Sequence, residues 1–528
     1  MASLNAYTGT WGRKQVVHLL KRTMFGAKPA DIDYFLTQSM QNSVDELLTL
    51  SSAAPSPPLN YYEGADLGGG LFMKDADNIP KGQTWVNGTY ADGTTNFFRG
   101  ESIKGWWIGN LLNQSRSIEE KLIVFWSNHF VTELRAGGGA TGAYRLIELF
   151  RTYAYTPFRT LMIEVSKNTQ MCHYLNVYLN TKYSPDENYA RELQELFGVG
   201  KGPDSLYTES DVKEAARVLT GLSIDWQAQT FLFRSDLHDT GNKQFSSFYG
   251  NKVISGKSGS NGLQELDELV DMILSTDECA KFIVRKLYRF FINYDITTEI
   301  ETDIIVPLAQ IYRSNSYNLK PVLDVLLKSE HFYETNIISA YIKTPLDLMI
   351  GFCRENAIQQ PSSSPLETLY KFWIDLYNVA GIQNQFLGNP PNVAGWPAYY
   401  QSPLYYDTWI NSDTYPKRVN YPIYFLYGGF NSSFDHIRFA QQYPQVANPV
   451  LFVEALCKTI YTMDISQAAQ DAIRVQILQG GLPNTSYWTD AWNGYIQDPN
   501  DSAKKSVVVN RLTQLLAYLI QSPHYQLC

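Results

Sequence analysis

The sequence predicts a mainly α-helical protein, with a large orthogonal helical core, long loops and a few short strands or hairpins. Apolar residues recur with the helical period over most of the chain, and capping sequences precede several of these stretches. Gly- and Pro-rich segments interrupt the helices, and strand-like alternation is brief. With 528 residues, 44% hydrophobic and 18% charged, the chain can bury a large core.

We predict four regions, which we expect to form one compact unit. They are N-terminal helices (1–50), a Gly/Pro-rich loop excursion (51–100), a helical core that carries the polar motifs (101–385), and a Pro/Tyr/Trp-rich loop with C-terminal helices (386–528).

The first two regions differ in kind. The apolar residues Val16 to Leu20 predict one helix, and the stretch from Pro29 to Leu36 predicts a second. The excursion holds the glycines Gly68 to Gly70, which predict loops with one short hairpin. A loop segment of this length is typical of a functional cover.

Three sequences in the core region predict helix starts. The segments Ser117 to Glu120 and Ser184 to Glu187 match a capping box, in which a Ser hydroxyl and a Glu carboxylate bind backbone amides. Thr208 predicts the start of a third helix. The alternation of Phe231 and Phe233 predicts a short strand.

The helix predicted from Pro185 to Phe197 has a polar face. It presents Asn188, Arg191, Glu192 and Glu195. Glu192 and Glu195 are three residues apart, so both carboxylates point the same way. They could bind a metal, act as an acid/base pair, or form ion pairs with Arg191 and Arg217.

Two histidine sites are further candidates. His129 follows an apolar helix, where an imidazole is either satisfied by hydrogen bonds or used as a base or ligand. His238 and Asp239 follow the predicted strand beside Gly241, where side chains can converge on a cleft. The alternative there is a loop turn capped by Asp239.

Several classes of function are excluded by composition or motif. The net charge of −9 and the absence of a long Lys/Arg block argue against nucleic-acid binding. The chain has no HExxH, GxSxG or phosphate-loop motif. Five dispersed cysteines argue against a disulfide framework and a cysteine zinc site.

The sequence also bears on the compartment. No apolar run is long enough to span a membrane. The N-terminus does not resemble a secretory signal, so we expect a cytoplasmic protein as the sequence stands, and an exported one if a leader was removed.

A set of motifs, in order from about residue 14 to 420, resembles the domain of unknown function 1800 family. They are His18-Leu-Leu-Lys-Arg-Thr-Met-Phe-Gly26, Phe125-Trp-Ser-Asn-His-Phe130, Asp186-Glu-Asn-Tyr-Ala-Arg-Glu-Leu-Gln-Glu-Leu-Phe197, Glu214-Ala-Ala-Arg-Val-Leu-Thr-Gly221, His238-Asp239 with Gly241 and Lys243, Lys343-Thr-Pro345, and Pro390-Pro-Asn-Val-Ala-Gly-Trp-Pro397.

The resemblance implies a bacterial protein but no particular reaction. Genes of this family often neighbour a second family similar to alkaline phosphatases and sulfatases, which implies processing of a polymer or its modification. The motifs include the residues selected above on chemical grounds, and we therefore expect these to form one cluster.

Two functional hypotheses follow. The first is a hydrolase, with or without a metal, acting on a polymer or its modification (a glycan or a peptide). Its catalytic candidates are Glu192, Glu195, His129, His238 and Asp239. Its binding candidates are Asn128, Asn188, Arg191, Arg217, Lys243 and Trp396. A divalent ion (Zn, Mn or Mg) would use Glu192, Glu195, His129 and His238.

The second hypothesis is a non-catalytic binding or scaffold protein for a phosphatase/sulfatase-like partner. Under this hypothesis Arg191, Glu192, Glu195 and Arg217 form a structural ion-pair network.

The aromatic content, 73 residues, adds one expectation. Aromatic residues in two loop regions could line a binding groove. They are Trp85, Tyr90 and Phe97 in the excursion, and Trp396, Tyr399, Tyr400, Tyr405, Tyr406 and Trp409 after the double proline.

Overall fold

The computed structural model describes residues 2–51, 53–89, 92–134, 139–396 and 409–528. Over these residues the fold is mainly α-helical, as predicted. The helices up to residue 218 are α1 (Arg13–Thr23), α2 (Pro29–Leu36), α3 (Met40–Leu47), α4 (Gly93–Asn113), α5 (Glu119–His129), α6 (Gly139–Thr152), α7 (Phe158–Ser166), α8 (Thr169–Tyr174), α9 (Glu187–Glu195) and α10 (Glu209–Val218).

The second half of the chain is also helical. Its helices are α11 (Gln264–Ser275), α12 (Asp277–Phe291), α13 (Thr298–Ile300), α14 (Val306–Ser314), α15 (Leu319–Lys328), α16 (Pro345–Glu355), α17 (Leu366–Gly381), α18 (Thr414–Leu426), α19 (His436–Gln441), α20 (Pro449–Ile460), α21 (Gln467–Ile473), α22 (Ser486–Gln497) and α23 (Ser502–Gln521). Two π-helical segments, Glu301–Ile305 and Arg474–Leu478, continue α13 and α21.

The strands form short antiparallel pairs, as the sequence predicts. They are β1 (Asp66–Gly68) with β2 (Leu71–Phe72), β3 (Leu222–Asp225) with β4 (Thr230–Phe233), and β5 (Lys243–Gln244) with β6 (Val253–Ile254). The first pair is the hairpin expected in the excursion. The second contains the strand predicted from Phe231 and Phe233.

The N-terminal region contains one helix more than predicted. Ser39 caps α3 by accepting a hydrogen bond from the Asn42 amide at 3.1 Å. Met40, Val44 and Leu47 of this helix are buried. The apolar spacing i, i+4, i+7 was therefore present, but the helix is only two turns long.

The three predicted helix starts had different outcomes. Thr208 and Asp211 form a capping box at the start of α10, which confirms that helix start. A helix does start after Ser117, at Glu119, and the Ser117 hydroxyl accepts from the Glu119 amide at 3.3 Å. The reciprocal box did not form, because that hydroxyl donates to the Thr49 carbonyl at 2.8 Å and Glu120 pairs with Arg151 at 2.7 Å.

The box predicted at Ser184 was also wrong in detail. The cap of α9 is Asp186, whose side chain accepts from the Asn188 amide at 2.8 Å. A carboxylate nearer the helix thus replaces the Ser hydroxyl as the acceptor.

One hydrophobic core includes residues from all four predicted regions, for example Val17, Trp85, Trp126 and Trp488. Helix α17 packs along α4, α5 packs on α6, and α9 packs on α10. The last contact positions the polar face of α9. None of the described helices combines the length and the apolar character needed to cross a bilayer.

Candidate functional site

Helix α9 separates an apolar face from a polar one. Tyr189, Ala190, Leu193 and Gln194 are buried against the core. The remaining positions carry the sequence candidates Asn188, Arg191, Glu192 and Glu195. Asn188 is exposed and its side-chain amide donates to the Leu175 carbonyl at 3.3 Å.

Arg191 forms its ion pairs with Glu187 and Glu209 and not with the two candidate carboxylates. Its guanidinium donates to both oxygens of Glu209, at 2.8 and 2.7 Å, and to Glu187 at 3.2 Å. These bonds connect α9 to the first turn of α10. Arg191 is therefore committed to a pair of carboxylates on the outer side of the two helices.

Glu192 is half-buried and makes no hydrogen bond or ion pair with any residue that the structure describes. Burial raises the pKa of the Glu192 carboxyl, and the nearby Glu195 raises it further. A carboxyl without a fixed cation, and with a raised pKa, is typical of a group that transfers a proton.

Glu195 has different surroundings. It accepts a hydrogen bond from the Tyr207 hydroxyl at 3.1 Å and lies 3.4 Å from the Lys201 ammonium. Burial and then Glu195 raise the pKa of the Tyr207 phenol, which therefore stays a hydrogen-bond donor. Two neighbouring carboxyls with unlike surroundings are suited to opposite roles in acid–base chemistry.

Tyr174, in α8, borders the same carboxyl. Burial raises the pKa of its phenol, and the charges of Glu133 and Glu192 raise it further. The segment with Glu133 is held by Gln170, whose side chain donates to the Glu133 carbonyl at 2.5 Å. The Tyr174 phenol thus lies within electrostatic reach of both Glu133 and Glu192.

His129 forms hydrogen bonds beside the C-terminal end of α9. One ring nitrogen, Nε2, lies 3.1 Å from the Phe197 carbonyl, and Nδ1 lies 3.1 Å from the Lys286 ammonium. Because a carbonyl only accepts, Nε2 donates to Phe197 and Nδ1 accepts from Lys286. The ring is buried, and this burial together with Lys286 holds the pKa of His129 well below its ordinary value.

Lys286 is the unusual partner in this arrangement. It also donates to the Leu196 carbonyl at 3.1 Å. Burial, and then Arg289, lower the pKa of Lys286 to about 7. His129 and Lys286 therefore fix the last turn of α9, and both ring nitrogens of His129 are already in use.

Asn128 connects a second motif to this place. Its side-chain oxygen accepts from the Trp396 amide at 2.8 Å. Gly395 has a φ of +77°, and a Cβ there would lie 2.7 Å from the Asn128 carbonyl, so a glycine is required. The loop that ends at Trp396 is thus fastened to the end of α5, beside His129.

His238, Asp239 and Lys243 belong to a different group. The ring of His238 lies 2.8 Å from the Thr220 carbonyl through Nδ1 and 3.1 Å from Glu265 through Nε2. The Lys243 ammonium lies 2.5 Å from the other Glu265 oxygen and also donates to the Asp239 carbonyl. His238, Lys243 and Glu265 are all fully buried.

The same group contains the predicted binding residue Arg217. It donates to both oxygens of Asp239, at 2.8 and 3.1 Å, and to Glu214 at 2.7 Å. Burial alone would raise the pKa of Asp239, but the hydrogen bonds from Arg217 and the Gly241 amide outweigh it, and the pKa is lowered. This is the arrangement of a structural ion-pair network.

By their hydrogen bonds and ion pairs the candidates are described as two groups, and that they form one site stays a prediction. Among the described residues, no hydrogen bond or ion pair joins a member of one group to a member of the other. The α9 group holds Asn128, His129, Asn188, Arg191, Glu192 and Glu195. The His238 group holds Arg217, His238, Asp239 and Lys243.

The expected divalent-metal site is not confirmed. In the described part of the chain, no three His, Cys, Asp or Glu side chains are placed to hold an ion. His129 and His238 are engaged in the bonds given above. Of the four proposed metal ligands, only Glu192 and Glu195 are left, and both lie on the polar face of α9.

The expected aromatic groove is also not confirmed. Trp85, Trp396 and Trp409 are buried in the core, where they pack with other apolar side chains. Phe97 is 44% exposed. Tyr90, Tyr399, Tyr400, Tyr405 and Tyr406 lie outside the described residues.

Sequence reasoning missed Glu133, Tyr174, Tyr207 and Lys286. The two tyrosines are among 36 in the chain, and no local pattern distinguishes them. Lys286 is 157 residues from His129, so only the fold brings them together.

Comparison with known families agrees with the motifs. The family model described as "Protein of unknown function (DUF1800)" matches residues 18–527. The chain belongs to this family. No curated protein and no solved structure matches it significantly. Membership in the DUF1800 family thus covers nearly the whole chain, including both groups of polar residues.

Proposed function

We propose that this protein is a hydrolase that acts on a polymer or its modification, with Glu192 as the group that transfers the proton. The observation that carries the proposal is the state of Glu192. Its neighbours Arg191 and Glu195 have fixed partners, whereas its own carboxyl is half-buried and has none among the described residues. Such a group costs stability and is suited to chemistry.

The two carboxyls suggest complementary roles. Glu192, whose pKa is raised, would give a proton to the leaving group. Glu195, held by Tyr207 and Lys201, would act as the carboxylate that activates water. Glycans and peptides both fit this chemistry, because each has a leaving group that must be protonated.

The test uses matched amide substitutions on one helix. Glu192→Gln and Glu195→Gln should each lower turnover by about 10²–10⁴-fold. Glu187→Gln is the control, because this residue lies on the same helix and makes only an exposed ion pair with Arg191. Hydrolysis of a panel of glycan and peptide polymers is followed by the release of reducing ends or amines.

Stability separates a catalytic role from a structural one. Glu192→Gln removes the repulsion between two carboxylates at i, i+3 and should stabilise the fold by about 0.2–0.5 kcal/mol at pH 7. The folded-state pKa of Glu192 is raised. The contribution of this carboxyl to the stability of the wild-type protein is therefore lost as the pH rises through that pKa. The advantage of the Gln variant should therefore grow from acid to neutral pH.

Two results would overturn the proposal. One is full turnover in Glu192→Gln. The other is a carboxyl titration, measured by carbon-13 NMR, in which Glu192 titrates below its ordinary range. A stoichiometric metal found by elemental analysis would instead favour the metal-assisted form of the reaction.

A second candidate function is binding of a phosphatase/sulfatase-like partner, as the family resemblance implies. The exposed β1–β2 hairpin supports it, because Leu67, Leu71 and Phe72 are 45%, 67% and 65% exposed. Apolar side chains grouped on a surface are typical of contact sites. A double variant, Leu71→Ser with Phe72→Ser, should abolish binding of the purified partner in sedimentation experiments, whereas Leu206→Ser, at an exposed apolar residue elsewhere, should not.

A further inference from the structure

A group of buried positive charges lies partly in sequence motifs other than those of the α9 group. Lys21 and Arg22 of α1, Lys343 before α16, and Arg418 of α18 are at most 3% exposed. We call these four residues the buried cationic cluster. Lys21 and Lys343 lie in two of the family motifs that the α9 group does not use.

The C-terminal segment connects the members of the cluster. Arg418 donates to the Gln526 side chain and to the Lys343 carbonyl, both at 2.8 Å. The Lys343 ammonium lies 3.7 Å from the centre of the Tyr525 ring. Arg22 donates to the sulfur of Cys528 at 3.7 Å and to the Ile292 carbonyl. Three of the four cations, Arg22, Lys343 and Arg418, thus contact one short stretch of chain, residues 525–528.

Negative charge at the cluster is insufficient. Glu355 lies 3.6 Å from Lys21 and also accepts from the Ala27 amide at 3.1 Å. Asp347, which faces Arg418, is paired with Lys121. Glu355 is thus the one acidic side chain within ion-pair distance of these four cations in the described part of the chain, while Asp347 and Cys528 act on Arg418 from farther away. Buried charges without close partners are unfavourable.

Most of the unsatisfied polar atoms at the cluster are N–H donors, and the Tyr525 hydroxyl is also without a partner among the described residues. Arg22 Nε, Arg418 Nη1 and the Gln526 side-chain nitrogen are buried and have no hydrogen-bond partner among the described residues. The Lys343 ammonium makes no hydrogen bond or ion pair in the part of the chain that the structure describes. Three buried N–H groups, from α1, α18 and the C-terminal segment, thus lack an acceptor, and an anion would supply it.

The pKa values of two members of the cluster are lowered, as expected for cations buried with too little negative charge. Burial, and then Lys21, lower the pKa of Lys343 to about 7. Burial lowers the pKa of Arg418 to about 9, and the charges of Asp347 and Cys528 only partly oppose this. An anion between these cations would restore their ordinary protonation.

A cavity has one lining residue in common with the surroundings of the cluster. It has a volume of about 260 Å³ and is lined by Lys28, Arg354 and Glu355, among others. Glu355 is also the carboxylate beside Lys21. The cavity and the cluster therefore share Glu355, and the cavity is lined by two cations of its own.

We infer that the buried cationic cluster binds one small tetrahedral oxyanion, phosphate or sulfate, through Arg22, Lys343, Arg418 and Gln526. Guanidinium and ammonium groups are the usual partners of such anions, and the planar fork of arginine fits two of their oxygens. Water molecules at the cluster would supply hydrogen-bond acceptors but would not balance its positive charge. The inference is independent of the proposed hydrolase, because none of these residues contacts α9.

The first experiment measures the anion directly. The full-length protein is exchanged into buffer free of phosphate and sulfate, denatured, and analysed by ion chromatography and mass spectrometry. We expect about one phosphate or sulfate per chain, and mass spectrometry shows whether it is released as the free ion or as an organic ester. If the anion exchanges out, the second experiment restores it.

In the second experiment, inorganic phosphate or sulfate is added to the stripped protein at constant ionic strength. A ligand at about 100 times its Kd should raise the Tm of a chain of this length by about 2 °C. Lys343→Met should abolish this rise. Lys28→Met, in the outer cavity, should retain it.

Each remaining outcome overturns the inference. These are no released anion together with no Tm response in the wild-type protein, a response that Lys343→Met retains, or a response that only Lys28→Met removes, which would place the anion in the outer cavity. If Lys343→Met does not fold, the inference is decided by two measurements. These are the anion released from the wild-type protein and the rise in Tm that the anion produces in Lys28→Met.

Discussion

Replacing Lys243 by Met should destabilise the protein strongly, because Lys243 balances a buried carboxylate. Lys243 and Glu265 are both fully buried, and their charged atoms are 2.5 Å apart. Removing one partner of a buried ion pair costs about 3–5 kcal/mol, and Glu265 would keep only the His238 ring nitrogen, at 3.1 Å, and the Lys257 amide, at 2.7 Å. For 528 residues this corresponds to a fall in Tm of about 3–5 °C.

A second substitution should recover much of this loss. Glu265 also accepts from His238 at 3.1 Å and from the Lys257 amide at 2.7 Å. Glu265→Gln removes the charge but keeps an oxygen for these donors. The double variant, Lys243→Met with Glu265→Gln, should therefore regain about 2 kcal/mol relative to Lys243→Met alone.

The assay is thermal and urea unfolding followed by circular dichroism at pH 7. Lys252→Met is the matched control, because Lys252 is exposed and forms no ion pair with a described residue. Its effect should stay within about 0.5 kcal/mol. The reasoning is refuted if Lys243→Met loses less than about 1 kcal/mol, or if the double variant is no more stable than the single one.

The pH dependence gives an independent check of sign. Burial alone would raise the pKa of Glu265, but the hydrogen bonds from His238 and Lys243 outweigh it, and the pKa is lowered. The stability from this group is therefore present above the unfolded-state pKa and is lost as the pH falls through the folded-state pKa. The difference between wild type and Lys243→Met should shrink in acid.

Three further predictions concern glycine, alanine and cysteine. Gly395→Ala should cost at least about 2 kcal/mol of stability, because the new Cβ meets Asn128. Gly69→Ala, also at positive φ but in open space, should cost about 1 kcal/mol. Equal losses in urea unfolding would contradict this. Ala357→Gly should stabilise by about 0.5–1 kcal/mol, because Ala357 has a φ of +52°, and a lower Tm would count against it. All five cysteines are free and buried, so a thiol reagent should label none in the native protein and five after denaturation; rapid native labelling would refute that burial.

The helical fold was predictable because its signal is local. The apolar period of α5 and α9, and the capping box at Thr208, involve residues within one or two turns. The box at Ser117 failed for the opposite reason. Its hydroxyl binds the Thr49 carbonyl, 68 residues away, and no local pattern contains that partner.

The candidate site could be predicted in position but not in pairing. The i, i+3 spacing places Glu192 and Glu195 on one face, which is a property of any helix. Which carboxylate Arg191 binds depends on the packing of α9 on α10, and this packing supplies Glu209. The hypothesis that Glu192 belongs to an ion-pair network therefore could not be examined without the tertiary structure. Among the described contacts, Glu192 takes part in no such network.

The buried cationic cluster changes what the overall charge implies. A net charge of −9 argues against a polyanion on the surface, and that argument concerns exposed charge. Lys21 and Arg418 are nearly 400 residues apart in the sequence, so no window of the sequence contains both. Because the cluster is enclosed, its excess charge can attract only an ion small enough to be buried with it, and desolvation makes that interaction strong. An acidic chain and a bound oxyanion are therefore compatible, since local burial, not net charge, decides which anion is bound.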